Sequence, residues 1–140
     1  MTDRLGMYRV WFYAAAAYNL AWGVAVIAFP VPLSRLAGLE VATVIPLVQV
    51  IGMMVGVYAI GYYLLAREPL RYAGLIWVAL AGKTLGPAGF VYYAIAGVLP
   101  WKFGWTCVFN DIIWWPVFWS FALRYGRGRG ATAETPPTEA

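Results

Sequence analysis

Long apolar stretches constrain this chain more than any other feature. A helix that crosses a bilayer needs about 20 mostly apolar residues, and stretches of that length fill most of the 140 residues. Four stretches qualify, at roughly residues 8–29, 44–66, 72–98 and 102–123. We therefore predict an all-α fold, a four-helix transmembrane bundle within residues 1–125. Helices that are joined by tight connections should be antiparallel neighbours.

The composition agrees with a protein of the lipid bilayer. Hydrophobic residues make up 63% of the chain and charged residues 11%, whereas a soluble domain is roughly half apolar and about a quarter charged. The chain is too short for a soluble catalytic domain together with an anchor. The net charge of +4 is better explained by arginines that flank the apolar stretches than by nucleic-acid binding, so we expect no nucleic-acid partner.

The distribution of basic residues predicts the orientation in the membrane. With four spans, the termini and the second connection lie on one side, which carries Arg4, Arg9, Arg67, Arg71, Arg124, Arg127 and Arg129. The other side carries Arg35 and Lys102. Cytoplasmic loops are enriched in basic residues, so we predict a multi-pass protein of the cell (inner) membrane with cytoplasmic N- and C-termini. Residues 126–140 contain no apolar residue larger than alanine and should form a disordered cytoplasmic tail.

The first connection and the glycine pairs predict how the helices are arranged. Residues 31–39 form a pattern typical of a short amphipathic helix along the outer interface. The pairs Gly52/Gly56 and Gly82/Gly86 have the four-residue spacing that lets transmembrane helices approach closely. We expect these pairs to build the bundle itself. A homodimer or a larger membrane complex remains an open alternative for them.

Lys83 and Asp111 are the only lysine and the only carboxylate in the interior of the apolar stretches, since Lys102 stands at the very start of the fourth. At a rise of 1.5 Å per residue they lie about 16 Å and about 14 Å into their helices. Those depths are near the middle of a hydrocarbon core about 30 Å thick. An unpaired charge there costs at least about 2.5–3.5 kcal/mol. We therefore predict a Lys83–Asp111 contact, either direct or through Asn110 or water.

Prolines in the third and fourth apolar stretches leave backbone carbonyls unpaired. Pro87 and Pro116 lack the N–H groups that the carbonyls of Lys83 and Ile112 would otherwise accept. At membrane depth these oxygens need a side chain, water or ligand as a partner. We also predict a kink at Pro87, one turn beyond Lys83.

Polar and aromatic side chains near the charged pair complete a candidate binding site. The candidate ligand-binding residues are Lys83, Asn110, Asp111, Trp114, Trp115, Tyr58 and Asn19. In a continuous helix, residues four apart share a face, which pairs Asn110 with Trp114 and Asp111 with Trp115. An intramembrane ionisable pair marks a ligand site or a proton path. The alternative is a polar clasp that only fixes helix register.

Missing residue types limit the chemistry. The chain has no histidine and a single cysteine, Cys107, so it lacks the commonest haem, copper and zinc ligand and cannot form a CxxC redox pair. We expect no metal site and no resident cofactor. Whether a reaction is catalysed stays open. In an enzyme, Asp111 would act as acid or base and Lys83 as its charge partner.

Two motifs carry a resemblance to known proteins: Gly82-Lys83-x-x-Gly86-Pro87 and Asn110-Asp111-x-x-Trp114-Trp115-Pro116. Together they resemble a pattern seen in uncharacterised small bacterial four-span integral membrane proteins. The gross layout is also similar to that of DoxX-like proteins, which are four-helix bundles of this size. Some DoxX-like proteins accompany quinone-linked or redox partners. That likeness implies an accessory or quinone-related role and carries over no functional residue.

These features predict a small integral membrane protein with a polar-aromatic intramembrane site. We expect it to bind a lipophilic small molecule, such as a quinone, an isoprenoid or a lipid, or to dock as an accessory subunit to a larger membrane complex. A membrane enzyme acting on a lipophilic substrate is the alternative.

Overall fold

The computed structural model describes residues 2–39 and 45–127. Every regular element within those two ranges is helical. The helices are α1 (Thr2–Ala28), α2 (Pro30–Leu36), α3 (Ile45–Arg67), α4 (Leu75–Ile95), α5 (Gly104–Asn110) and α6 (Trp115–Tyr125), with 3₁₀ turns at Trp101–Phe103 and Ile112–Trp114. The predicted all-α helical bundle is therefore confirmed. Residues 128–140, which make up most of the predicted tail, lie outside the described residues.

Three helices of the described chain, α1, α3 and α4, are long and apolar enough to cross a membrane. They match the first three predicted spans, and the main difference is that α1 begins at Thr2 rather than near residue 8. Helix α1 ends at Ala28, shortly before Pro30. Pro30 is the first residue of α2, where its missing N–H removes no helical hydrogen bond. Helix α2 is the predicted short helix of the first connection. Helix α4 continues through Pro87.

The prediction of one continuous fourth helix is wrong. The structure divides this region into α5 and α6, and Asp111 between them leaves the helical conformation, with φ −122° and ψ −59°. Pro116 lies in the first turn of α6, where its missing N–H is tolerated. The Ile112 carbonyl is satisfied by the backbone N–H of Trp115 in the 3₁₀ turn. The break therefore follows from the proline that the sequence places one turn after Ile112.

Helices α1 and α3 form the closest helix pair of the bundle. A Cβ atom built on Gly23 would lie 2.7 Å from the Gly52 carbonyl oxygen and 3.0 Å from the Gly56 Cα. A Cβ atom on Gly52 would likewise lie 3.0 Å from the Gly23 carbonyl oxygen, so only a hydrogen at Gly23 and at Gly52 allows the two backbones to approach so closely. Gly52 thus has the intramolecular packing role predicted for it. Gly56 contributes backbone atoms to the same contact, but a Cβ atom on Gly56 itself would meet nothing within 4 Å.

An aromatic cluster joins α1 to α6. Phe12 packs edge-to-face against Phe118 and Phe121, with ring centroids 5.6 and 4.9 Å apart. Beside them the hydroxyls of Tyr8 and Ser120 are hydrogen-bonded at 2.7 Å. Edge-to-face pairs of this kind add to the stabilisation from burial alone. Helix α1 therefore contacts both α3 and α6.

Hydrogen bonds at opposite ends of the bundle show that its neighbouring helices are antiparallel. At one end, Arg9 Nε donates to the Ala66 carbonyl at 2.9 Å, and Trp77 Nε1 donates to the Gly126 carbonyl at 2.8 Å. At the other end, Gln49 Nε2 donates to the Ile27 carbonyl at 3.0 Å. The start of α1, the α3–α4 connection and the end of α6 consequently share one end of the molecule.

Candidate functional site

A cavity of about 500 Å³ lies between α3 and α4. Its walls are mainly apolar and include Val26, Leu33, Val48, Ile51, Met54 and Phe90. Helix α2 contributes to the wall at one end through Leu33, Ser34 and Ala37. The other end reaches Lys83 and Asp111. A mostly apolar cavity with a few convergent polar groups is the usual form of a small-molecule site.

Lys83 and Asp111 form a buried ion pair at this polar end. Lys83 Nζ lies 3.3 Å from Asp111 Oδ1, and the two residues are only 3% and 8% exposed. The predicted contact is therefore confirmed, and it is direct. The ammonium group also donates to the Asn110 carbonyl and lies over the Tyr62 ring, 5.7 Å from its centroid. These partners offset the cost of burying the cation.

The helix break after Asn110 makes the carbonyl of that residue available to Lys83. In a continuous α-helix, the Asn110 carbonyl would accept the N–H of Trp114. Here the Trp114 N–H donates instead to the Asp111 carbonyl at 3.2 Å. Because of the 3₁₀ turn, the Asn110 carbonyl of α5 is free to accept a hydrogen bond from the Lys83 side chain of α4.

Pro87 likewise frees a backbone carbonyl on the α4 side of this contact. Its missing N–H leaves the Lys83 carbonyl without its helical partner, and Trp115 Nε1 donates to that oxygen at 3.1 Å. The prediction that the Lys83 oxygen needs a new partner is confirmed, and the partner is a side chain. Lys83 is consequently held at both its ammonium group and its carbonyl.

The glycine pair of α4 makes room for the site. A Cβ atom on Gly82 would lie 2.8 Å from the Tyr58 hydroxyl, and one on Gly86 would lie 3.3 Å from Asp111 Oδ2. The missing side chains therefore admit polar groups of α3 and of the α5–α6 break. Gly82 and Gly86 accommodate the site, whereas Gly23 and Gly52 accommodate a neighbouring helix.

Several polar atoms around the pair have no protein partner. Asn19 is 2% exposed and its Nδ2 donates weakly to the Val55 carbonyl at 3.4 Å. Asn110 Nδ2 donates to Asp111 Oδ1 at 2.9 Å. Among the described residues, the buried side-chain oxygen of Asn19, that of Asn110, the Tyr62 hydroxyl and Trp114 Nε1 have no hydrogen-bond partner. Unpaired buried polar groups of this kind are costly.

Five predicted site residues line the cavity: Asn19, Tyr58, Lys83, Asn110 and Asp111. The other two predicted residues, Trp114 and Trp115, do not belong to the wall of this cavity. Trp114 is buried in the core against Trp11 and Tyr18, and Trp115 reaches the Lys83 carbonyl. The four-residue spacing assumed an unbroken helix, and the 3₁₀ turn changes which way both side chains point.

Sequence reasoning missed Tyr62 as a site residue. Its ring supports the Lys83 ammonium group, and its side chain lines the cavity. Tyr62 lies four residues after Tyr58 in α3, so helical spacing predicts that both occupy one face. Trp22 also lines the cavity and lies one turn after Asn19. Including the residues one helical turn after Tyr58 and Asn19 would have identified both Tyr62 and Trp22.

The polar groups around the ion pair are amide, carboxylate, phenol and thiol groups beside an apolar wall. In the described part of the chain, no three His, Cys, Asp or Glu side chains come together as a metal site would require. Cys107 lines the cavity one helical turn before Asp111, as a buried thiol. The arrangement can place a polar head group against Asp111, Asn19 and the tyrosines, with an apolar body between α3 and α4.

Comparison with known protein families, with curated proteins and with solved structures gives no match for this chain. The likeness to DoxX-like proteins therefore has no support beyond the general layout. The site has to be interpreted from its own residues.

Proposed function

We propose that this chain is an integral membrane protein that binds a lipophilic small molecule, such as a quinone, an isoprenoid or a lipid, in the cavity between α3 and α4. The observation that carries the proposal is the buried Lys83–Asp111 pair at the end of an otherwise apolar cavity of about 500 Å³. A ligand with a polar head and an apolar body matches that distribution of groups.

The exposure of the cavity wall gives such a ligand a route of entry. Ile51 and Met54 line the cavity, yet they are 57% and 59% exposed. Both lie on α3, which is apolar enough to cross a membrane. In a bilayer this side of α3 faces lipid, so a lipophilic molecule can enter between α3 and α4 without passing through water.

The proposal includes a topology with four crossings. Helices α5 and α6 together serve as the fourth crossing, and the irregular backbone at Asp111 is tolerated because it faces protein groups rather than lipid. Both termini are then cytoplasmic, in agreement with the basic residues near the start of α1, the α3–α4 connection and the end of α6. The membrane is the cell (inner) membrane of a bacterium.

Two glycines of the chain offer a matched test of the proposal. A Cβ atom on Gly89, which lines the cavity, meets no atom within 4 Å, and the same holds for Gly61, which is not part of its wall. Gly89→Leu should therefore fill part of the cavity without displacing the backbone, and Gly61→Leu is its control. The full chain and both variants are purified gently from native membranes, and mass spectrometry identifies the lipophilic molecules that copurify.

We expect one species to be enriched over bulk lipid with the parent chain and with Gly61→Leu, and to be depleted with Gly89→Leu. Equal recovery of all lipophilic molecules from the three proteins would contradict the proposal. A fixed set of copurifying proteins, with no enriched small molecule, would instead identify an accessory subunit of a larger membrane complex. The Lys83–Asp111 pair would then be a packing device.

A membrane enzyme acting on a lipophilic substrate is the second candidate. It is favoured by Asp111 Oδ2, because both hydrogen bonds to this carboxylate end on Oδ1 and Oδ2 lies beside Gly86 at the cavity. That oxygen is placed to take a proton from a bound substrate, with Lys83 as the charge partner. If the copurified molecule is converted to a product in membranes, Asp111→Asn should abolish the conversion and leave folding intact.

A further inference from the structure

We infer that the cavity selects a neutral head group that donates a hydrogen bond, such as an alcohol, a phenol or a quinol, over an anionic head group or one that only accepts. The inference rests on the proposed function and names the class of ligand. It follows from counting which hydrogen-bonding groups of the site are already used.

The Lys83 ammonium group already has partners within the protein. The ammonium group carries three protons. Its contacts are the Asn110 carbonyl, Asp111 Oδ1 and the face of the Tyr62 ring. Oxygen atoms of the protein thus take two of the three protons, and the Tyr62 ring stabilises the charge from a distance of 5.7 Å. The cation that would ordinarily attract an anion is thus already satisfied.

The carboxylate of the site keeps one oxygen, Asp111 Oδ2, open to a ligand. Asp111 Oδ2 receives no hydrogen bond from any residue that the structure describes, and it lies where a Cβ atom on Gly86 would be 3.3 Å away. The side-chain oxygens of Asn19 and Asn110 also lack partners, but both atoms are fully buried in the protein, so the acceptor within reach of a ligand is Asp111 Oδ2. Each amide is oriented by its NH₂ group, which donates to the Val55 carbonyl or to Asp111 Oδ1. Reversing either amide would bring two oxygens together.

The charge of the site points the same way. Lys83 and Asp111 are the only cation and the only carboxylate in the described wall of the cavity, and they neutralise each other. A phosphate or carboxylate head group would add an uncompensated negative charge beside Asp111 Oδ2 in an apolar surrounding, which is costly. A hydroxyl group can donate to Oδ2 and accept from the hydroxyl of Tyr58, which lines the cavity.

Competition among three probes with one hydrocarbon body tests this inference. Geranylgeraniol, its methyl ether and its monophosphate are offered in equal amounts to the full chain in detergent, and native mass spectrometry compares the occupancy of the three adducts. We expect the alcohol adduct to exceed the ether adduct by about tenfold, which corresponds to one hydrogen bond to a charged acceptor. The monophosphate adduct should be the weakest.

Asp111→Asn tests the proposed acceptor by replacing one carboxylate oxygen with a donor. The ratio of alcohol to ether occupancy should fall toward one, whereas a folding defect would reduce both adducts together and leave the ratio unchanged. Equal occupancy of alcohol and ether in the parent chain, or a dominant monophosphate adduct, would overturn the inference and leave the binding function standing. If none of the probes binds, or if Gly89→Leu binds them as well as the parent chain does, both the binding function and the inference fail.

Discussion

The indole N–H of Trp115 donates to the backbone carbonyl of Lys83 at 3.1 Å. That oxygen is unpaired within its own helix because Pro87 has no N–H to offer. The bond therefore links the break between α5 and α6 to the proline turn of α4. It lies next to the contact between the Lys83 ammonium group and the Asn110 carbonyl, so the two segments exchange hydrogen bonds in both directions.

Trp115→Phe should destabilise the bundle because it leaves the Lys83 carbonyl without a donor. Hydrogen bonds between membrane helices are worth roughly 0.6–2 kcal/mol, and we expect a loss in that range in the free energy of unfolding. The measurement is unfolding of the purified chain in a titration with sodium dodecyl sulfate. Trp105→Phe is the matched control, since Trp105 is 64% exposed and should cost little.

Pro87→Ala should make the loss of the Trp115 indole less costly. An alanine at this position restores the N–H that the Lys83 carbonyl accepts in a regular helix. In a double-mutant cycle, the effect of Trp115→Phe should therefore be smaller in the Pro87→Ala background. Strictly additive effects would show that the indole stabilises the bundle by packing and not through this hydrogen bond.

Lys83→Met should be more damaging alone than together with Asp111→Leu. The single change leaves Asp111 buried without its cation, which should lower the free energy of unfolding by about 2.5–3.5 kcal/mol. The double change removes both charges, and apolar replacements of buried ion pairs are often neutral or stabilising. Detergent unfolding measures both variants, and Lys102→Met, at an exposed lysine, is the control. If the double variant is as unstable as Lys83→Met, the instability of the single variant does not come from the unpaired charge of Asp111.

The contact of Lys83 with Asp111 could be predicted from the sequence because two fixed quantities decide it. The helical rise sets the depth of each group, and the cost of an unpaired charge in lipid is large compared with the other energies involved. The same reasoning predicted that the Lys83 carbonyl needs a new partner. In both cases a strong local requirement allows few solutions.

The cavity and the orientation of Trp114 could not be predicted in this way. The spacing between α3 and α4 depends on how Tyr58 and Tyr62 pack against Gly82 and Lys83, which no single residue dictates. Helical spacing predicts that Trp114 shares a face with Asn110, but the 3₁₀ turn changes that spacing after Asp111. Pro116 predicts that the helix is disturbed in the turn before it, but it does not predict the direction in which the side chains of that turn point.

Gly23→Ala should weaken the pairing of α1 with α3. The added methyl group would meet the Gly52 carbonyl oxygen at 2.7 Å and the Gly56 Cα at 3.0 Å, and neither backbone atom can move without separating the helices. Overpacking of this kind typically costs about 1–3 kcal/mol. Gly61→Ala adds the same methyl group to α3 where nothing lies within 4 Å. Equal stability of the two variants in detergent unfolding would contradict the close approach of α1 and α3.

Cysteine labelling should distinguish the two ends of the bundle. Arg127 and Lys102 are both exposed, and they follow α6 and precede α5, respectively. In a Cys107→Ser background, a membrane-impermeant maleimide added to intact cells should label Lys102→Cys and should not label Arg127→Cys until the membrane is opened. The reason is that basic residues are retained on the cytoplasmic side, and the end that Arg127 follows also holds Arg9 and Arg67. Labelling of both cysteines in intact cells, or of Arg127→Cys alone, would contradict the proposed orientation.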